Sequence, residues 1–249
     1  MTGRVQGMGT SPGPRLGDAF GDLLLAQERD LHLSQYELVE RDDGFLGVTD
    51  ARIYFSQPPE WGPLELRACE QARGRVLDVG CGAGRHSVAM IDRGLDVTGL
   101  EPSAGAARVA SGRGVPVIEK RLDQLTEGTY DTIVMLGNNV ALLSGPDSAA
   151  ATLRGLADRA APGAMLLGQG RDPYATEDPL HLAYFERNRA RGRPGGQLRM
   201  RVRFRDVATE WFDYWFLTVD ELARIVEDTP WTLTEVDRSG PAYLAKLAL

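Results

Sequence analysis

The sequence predicts a doubly wound α/β domain, and three observations predict it. Val76, Leu77 and Val79 form a short apolar run of the kind a central parallel strand needs. Gly80, Cys81, Gly82, Ala83 and Gly84 follow at once, then an amphipathic segment near Arg85 with Val88, Ala89, Ile91 and Leu95 apolar. Downstream, residues 95–100, 115–118, 130–136 and 164–169 read as further strands separated by helical stretches. Strand, glycine turn and helix make the first crossing of such a sheet, and ligands bind where that turn opens.

Spacing narrows the ligand. A dinucleotide fingerprint, G-x-G-x-x-G, wants its third glycine at position 85, where Arg85 stands. The pattern is instead Asp78-x-Gly80-x-Gly82-x-Gly84, and a carboxylate at the strand's end suits a cationic amino group better than a pyrophosphate. This stretch resembles motif I of the class I S-adenosylmethionine-dependent methyltransferases. The resemblance covers residues 73–170 well and the C-terminal strands loosely. It implies a Rossmann-like sheet of about seven strands with the last antiparallel. It also implies S-adenosylmethionine as cofactor, S-adenosylhomocysteine as product and no metal.

Composition sets bounds. The chain has 249 residues, a net charge of −7 and two cysteines, Cys69 and Cys81, at no metal-ligand spacing. A reducing, cytoplasmic setting is expected, with no metal and no membrane span. The acidic balance argues against wholesale binding of nucleic-acid phosphates. The expected partner is a small molecule, and the expected assembly a monomer or homodimer. Residues 1–17 are rich in Gly and Pro and read as a mobile tail.

Residues 18–72 read as a helical cap, with one or two helices between Leu16 and Glu40 and a helix opened by Gly62-Pro63. Residues 73–249 read as the cofactor-binding domain. The resemblance implies that the leading segment covers the cofactor, which would set Tyr54 or Phe55 over cofactor or substrate. An aromatic cluster at the sheet edge is the alternative. After the second strand comes Glu101-Pro102-Ser103, with Ser103 as helix N-cap. A carboxylate there can accept from both ribose hydroxyls, the role the resemblance also gives Glu101.

The resemblance further implies that Asp123 accepts from the adenine amine and that the backbone of Leu122 reaches a ring nitrogen. Otherwise Asp123 is a helix cap. Cys81 in the turn, Pro102, and Leu136-Gly137-Asn138 complete the expected cofactor contacts. Asn138 or Asn139 could orient a ligand by its amide, or serve as a turn residue. Family members that methylate exocyclic base amines or glutamine amides carry Pro-Pro-aromatic here, and Gly137-Asn138-Asn139 takes weight from that class.

Residues 171–217 exceed an ordinary loop and read as a β-hairpin insertion after the fifth strand. Leu198, Met200, Val202 and Phe204 alternate with Arg199, Arg201, Arg203 and Arg205, a half-buried strand with an arginine row. The aromatic run 209–216 would pair with it. As a substrate cover, this hairpin would present Arg201, Arg203, Trp211 and Tyr214, and arginine favours a carboxylate or phosphate, hence an acidic acceptor. A solvated strand face or a dimer interface is the competing reading. His181, with Tyr54 and Asn139, is the candidate for catalysis, His181 as a base. A tRNA or rRNA methyltransferase using the arginine row, and a non-catalytic S-adenosylmethionine-binding protein, are the other two functions the sequence allows.

Overall fold

The computed structural model describes residues 13–249. Most of the expected tail lies outside the described residues. Within them, Arg15–Leu16 forms β1 and pairs with Val207–Ala208, so the tail reading fails there. Asp18 then caps α1 (Ala19–Arg29) by accepting from Gly21 N. Where the cap was expected to stay helical, the chain turns into β2 (Tyr36–Arg41) and β3 (Leu46–Asp50). The buried Gln27 amide bonds Asp30 O, Leu33 O and Gln35 N and so ends the helix. Residues 36–41, YELVER, alternate at strand period. A 3-10 turn, Ala51–Phe55, and α2 (Pro63–Gln71) complete the leading segment.

The central domain follows as β4 (Arg75–Val79), α3 (Arg85–Asp92), β5 (Asp96–Leu100), α4 (Ala104–Gly112), β6 (Val117–Ile118), β7 (Tyr130–Met135), α5 (Pro146–Ala157) and β8 (Ala160–Arg171). After the insertion, Thr218 and Glu221 form a capping box on α7 (Val219–Val226). The insertion between β8 and α7 has elements of its own. It contains α6 (Pro179–Ala190), β9 (Gln197–Phe204), β10 (Val207–Ala208) and β11 (Phe212–Trp215). The terminal strands are β12 (Thr232–Ser239) and β13 (Ala242–Ala248).

Seven strands form the main sheet in the order β12-β13-β8-β7-β4-β5-β6, with β13 antiparallel to both neighbours. Both faces are covered. Leu77, Val79, Ile133 and Met135 pack into one cluster; Val76, Val134 and Leu136 pack into the other. Burial on two sides is why these strands read as unbroken apolar runs. The strand order reverses between β4 and β7, so the carboxyl ends of these two strands frame the crevice where a ligand binds.

The insertion is more than a hairpin. β9 pairs with β10 and β11 on one side and with β2 on the other, so insertion and leading segment share one sheet, β1-β10-β9-β2-β3. Alternation gives β9 two unlike faces. Val202 and Phe204 pack on Ala19 and Leu23 of α1. The arginines point the other way. Helix α1 therefore lies between the two sheets, with its opposite side on Ala83, Ala106 and Val109. Its approach to α4 is close enough that a Cβ on Gly105 would stand 2.5 Å from the Gly21 Cα.

Candidate active site

The crevice is built from the turn after β4. Gly80, Gly82 and Gly84 all have positive φ (70°, 56° and 75°), a region costly for other residues. Space matters as well at two of them. A Cβ at Gly80 would lie 2.7 Å from the Asn139 amide nitrogen, and one at Gly84 3.0 Å from Val115. The Asn139 Nδ2 donates to both Val79 O and Gly80 O (2.9 Å each), so its donors tie the turn to the β7 side of the crevice. Both amide protons of Asn139 are engaged in this way. Asp78 is buried under the turn and accepts from Ser87 Oγ at 2.6 Å. Burial raises its carboxyl above the usual range, with His86 and the Ser87 hydroxyl opposing.

Glu101 stands across from the turn at the end of β5. One carboxylate oxygen accepts from Gly82 N and the other from Ser103 N, at 2.9 Å each. Each oxygen keeps a second lone pair for a ligand. Burial pushes this carboxyl up to about 7 against the pull of those two N–H groups. Beyond the acid, Pro102 is exposed, Leu122 is part-buried in a short 3-10 turn, and Asp123 is exposed and paired with Arg121 at 3.0 Å. Cys81 is buried, its thiol raised by desolvation. The far lip is Leu136, Gly137 and Asn138. Gly137 N donates to Gln169 Oε1 of β8 at 2.8 Å, and Asn138 adopts φ 70°. A Cβ on Gly137 would meet only Arg85 Nη2, at 3.9 Å, which leaves room beside the lip.

The leading segment packs against the turn. Phe20 of α1 stands over Gly82, within 3.7 Å of where a Cβ would be, and takes Tyr54 edge-on at 5.2 Å between centroids. Tyr54 Oη donates to Glu37 of β2 at 2.8 Å. Tyr214 of β11 reaches across the crevice and donates to Asn138 O at 2.9 Å. A third wall is ionic: Glu65 accepts from Arg85 (2.5 Å) and pairs with His86 (2.9 Å), beneath the Trp61 ring. Nothing in the sequence spacing marks Phe20, Glu37 or Gln169 as site residues. Only contacts between distant segments bring them to the lip.

Other expected residues stand elsewhere. Arg201 and Arg203 both pair with Glu40, at 2.8 and 3.2 Å, and Arg201 also stacks on Trp211. All four side chains share the face turned away from α1, whereas Tyr214 lies on the α1 side. The neighbouring strand supplies the anion that was expected of a substrate. His181 sits on α6, hydrogen-bonded to Arg41 at 3.0 Å and packed against Phe45 and Phe185.

Known proteins match this chain in the same region. Residues 76–163 match the family model described as a methyltransferase domain. Over residues 76–163 the chain carries a methyltransferase domain, set in the fold of S-adenosylmethionine-dependent methyltransferases. Within that domain it is 37% identical over 90 residues to the ubiquinone biosynthesis O-methyltransferase of Bordetella avium, covering 30% of this chain and 36% of that protein. It is 28% identical over 118 residues to human glycine N-methyltransferase, covering 39% of each. The chain thus spans less than half the length of these relatives. The methyltransferase fold also superposes on a methyltransferase from Bacteroides fragilis crystallised with S-adenosylhomocysteine. There the TM-score is 0.79 at 23% identity, over 92% of this chain and 94% of that one. This last likeness is one of fold, and its coverage extends it beyond the methyltransferase domain into the segments that form the second sheet.

Proposed function

We propose that the protein transfers a methyl group from S-adenosylmethionine to a small-molecule acceptor held between the lip of the main sheet and the α1-facing side of the second sheet. One observation carries the reading: the glycine turn, ordered by Asn139, faces a buried acid, Glu101, that retains acceptor capacity on both oxygens. That donor and acceptor set fits a ribose diol. The space above Gly137 fits the rest of the nucleoside's amino-acid arm. Among the described residues, no three or more His, Cys, Asp or Glu side chains cluster to hold a metal.

When bound, S-adenosylmethionine supplies a methyl group made electrophilic by its sulfonium. The chain's own work is positioning and water exclusion. Glu101 and the turn hold the nucleoside end. Phe20 and Tyr54 close the side facing α1, and Tyr214, anchored on Asn138 O, fixes the far wall. Burial raises both phenols, so Tyr54 and Tyr214 stay protonated and donate hydrogen bonds near neutral pH. The small-acceptor reading gains support from the engaged arginine row, since Arg201 and Arg203 already face Glu40 rather than a free surface for phosphates. One relative is itself named for glycine, a small acceptor. Calorimetry with S-adenosylhomocysteine tests the reading. One site per chain is expected, weakened at least tenfold in Glu101→Ala; heat-silent titration at millimolar ligand would refute it.

A further inference from the structure

A buried carboxylate in the crevice has no basic partner. Glu37 is 6% exposed, and among the described residues it forms no ion pair. Its single hydrogen bond comes from Tyr54 Oη to Oε2 at 2.8 Å. The other oxygen, Oε1, receives none. Glu101, by contrast, accepts a backbone N–H on each of its oxygens. The nearby cation, Arg85, is already held by Glu65 at 2.5 Å.

The hydrogen-bond donor of Glu37 stands among aromatic rings. Tyr54 meets Phe20 edge-on, and Tyr54 and Phe20 pack on Ala83 of the glycine turn. Tyr214, on the same side of the sheet, lies near enough to Glu37 for its charge to raise the phenol. A largely buried carboxylate beside aromatic rings selects a cation: the rings add their quadrupole and the acid its charge. An anionic acceptor would be repelled by the same group.

Resting on the methyltransferase reading above, we propose that Glu37, beside Tyr54 and Tyr214, is the acceptor-binding acid, and that the acceptor presents a protonated amine. The amine nitrogen gives one proton to Glu37 Oε1, which becomes the neutral carboxylic acid and leaves the nitrogen its lone pair, the electron pair methyl transfer requires. Burial has already raised the Glu37 carboxyl toward the range where it can take that proton, with the Tyr54 hydrogen bond opposing.

Calorimetry on the full chain loaded with S-adenosylhomocysteine tests this, with phenethylammonium and phenethyl alcohol as a matched pair of probes. The ammonium is expected to bind at least tenfold more tightly than the alcohol. In Glu37→Gln that preference should vanish while affinity for S-adenosylhomocysteine stays within twofold. Equal binding of the two probes by the wild-type chain, no binding of the ammonium, or an unchanged preference in Glu37→Gln would each overturn the proposal. The wild-type comparison stands even where the variant does not fold. Failure of S-adenosylhomocysteine to load would instead sink the methyltransferase reading, and is seen before either probe is added.

Discussion

The two sheets of this protein bury their strands differently. In the main sheet, β4 and β7 are covered on both faces, and their partners come from neighbouring stretches of chain. In the second sheet, β9 has one face on α1 and the other turned outward, and its partner β2 lies some 160 residues earlier, as in the pair Glu40 and Arg201. The first sheet provides the nucleoside end of the site. The second provides the walls, and which residues become walls is decided by which face of β9 meets α1. Chemistry that looked substrate-directed, the arginine row, fell on the outer face.

The joint between the sheets is where a single atom should matter most. A Cβ on Gly105 would press against Gly21 Cα, C and O at 2.5–2.9 Å, and backbone cannot swing aside as a side chain can. Gly105→Val is expected to lose about 3 kcal/mol or more in urea unfolding, the upper end of overpacking costs. Affinity for S-adenosylhomocysteine should fall with it, since Phe20 would leave Gly82. Full stability would mean that α1 is not pinned between the sheets.

On the main sheet's side, Glu101 makes stability depend on pH. Its folded carboxyl titrates at about 7 against 4.5 unfolded, so between these values the folded state binds the extra proton. Stability from this group is present below the unfolded value and is lost as pH rises from about 4.5 to 7, by about 3 kcal/mol for the full shift. Glu101→Gln should flatten that portion of the profile. Ribose hydroxyls donating to the carboxylate would favour its charged form, so wild-type affinity for S-adenosylhomocysteine should rise between pH 6 and 8. A pH-independent affinity would remove Glu101 from the nucleoside site.

Asn139 separates a positioning role from a catalytic one. Asn139→Ala removes both bonds to Val79 O and Gly80 O and should cost about 2 kcal/mol, in the range for stranded buried acceptors. If the amide only orders the turn, cofactor affinity drops and turnover at saturation persists. Loss of turnover with unchanged affinity would return it to catalysis.

The difference in burial also explains what could be read in advance. Asp78, Gly80, Gly82, Gly84, Glu101 and the cap at Ser103 sit within local strand–turn–helix units, and their spacing specifies their positions. The YELVER segment alternates just as legibly as β9, yet the helical run before it drew it into a cap. Nothing in either strand announces the other as its partner. Glu37 was invisible for the same reason: it is an ordinary strand glutamate until Tyr54 and α1 enclose it.

The outer face offers the mildest test. Arg201 and Glu40 are 16% and 19% exposed in their side chains, so their charges are partly shielded from solvent, and Arg201 holds the Glu40 carboxyl below its usual range. A carboxyl so lowered contributes stability above its unfolded value and loses it as pH falls through the folded one. A double-mutant cycle of Arg201→Met and Glu40→Gln should therefore give a coupling of about 1 kcal/mol at pH 7 that shrinks toward pH 3. Neither single change should alter KM once an acceptor is in hand, because both side chains point away from α1 and the crevice. A KM raised tenfold by Arg201→Met with no coupling to Glu40 would mean that the second sheet presents its other face to the acceptor, and the assignment of walls would have to be reversed.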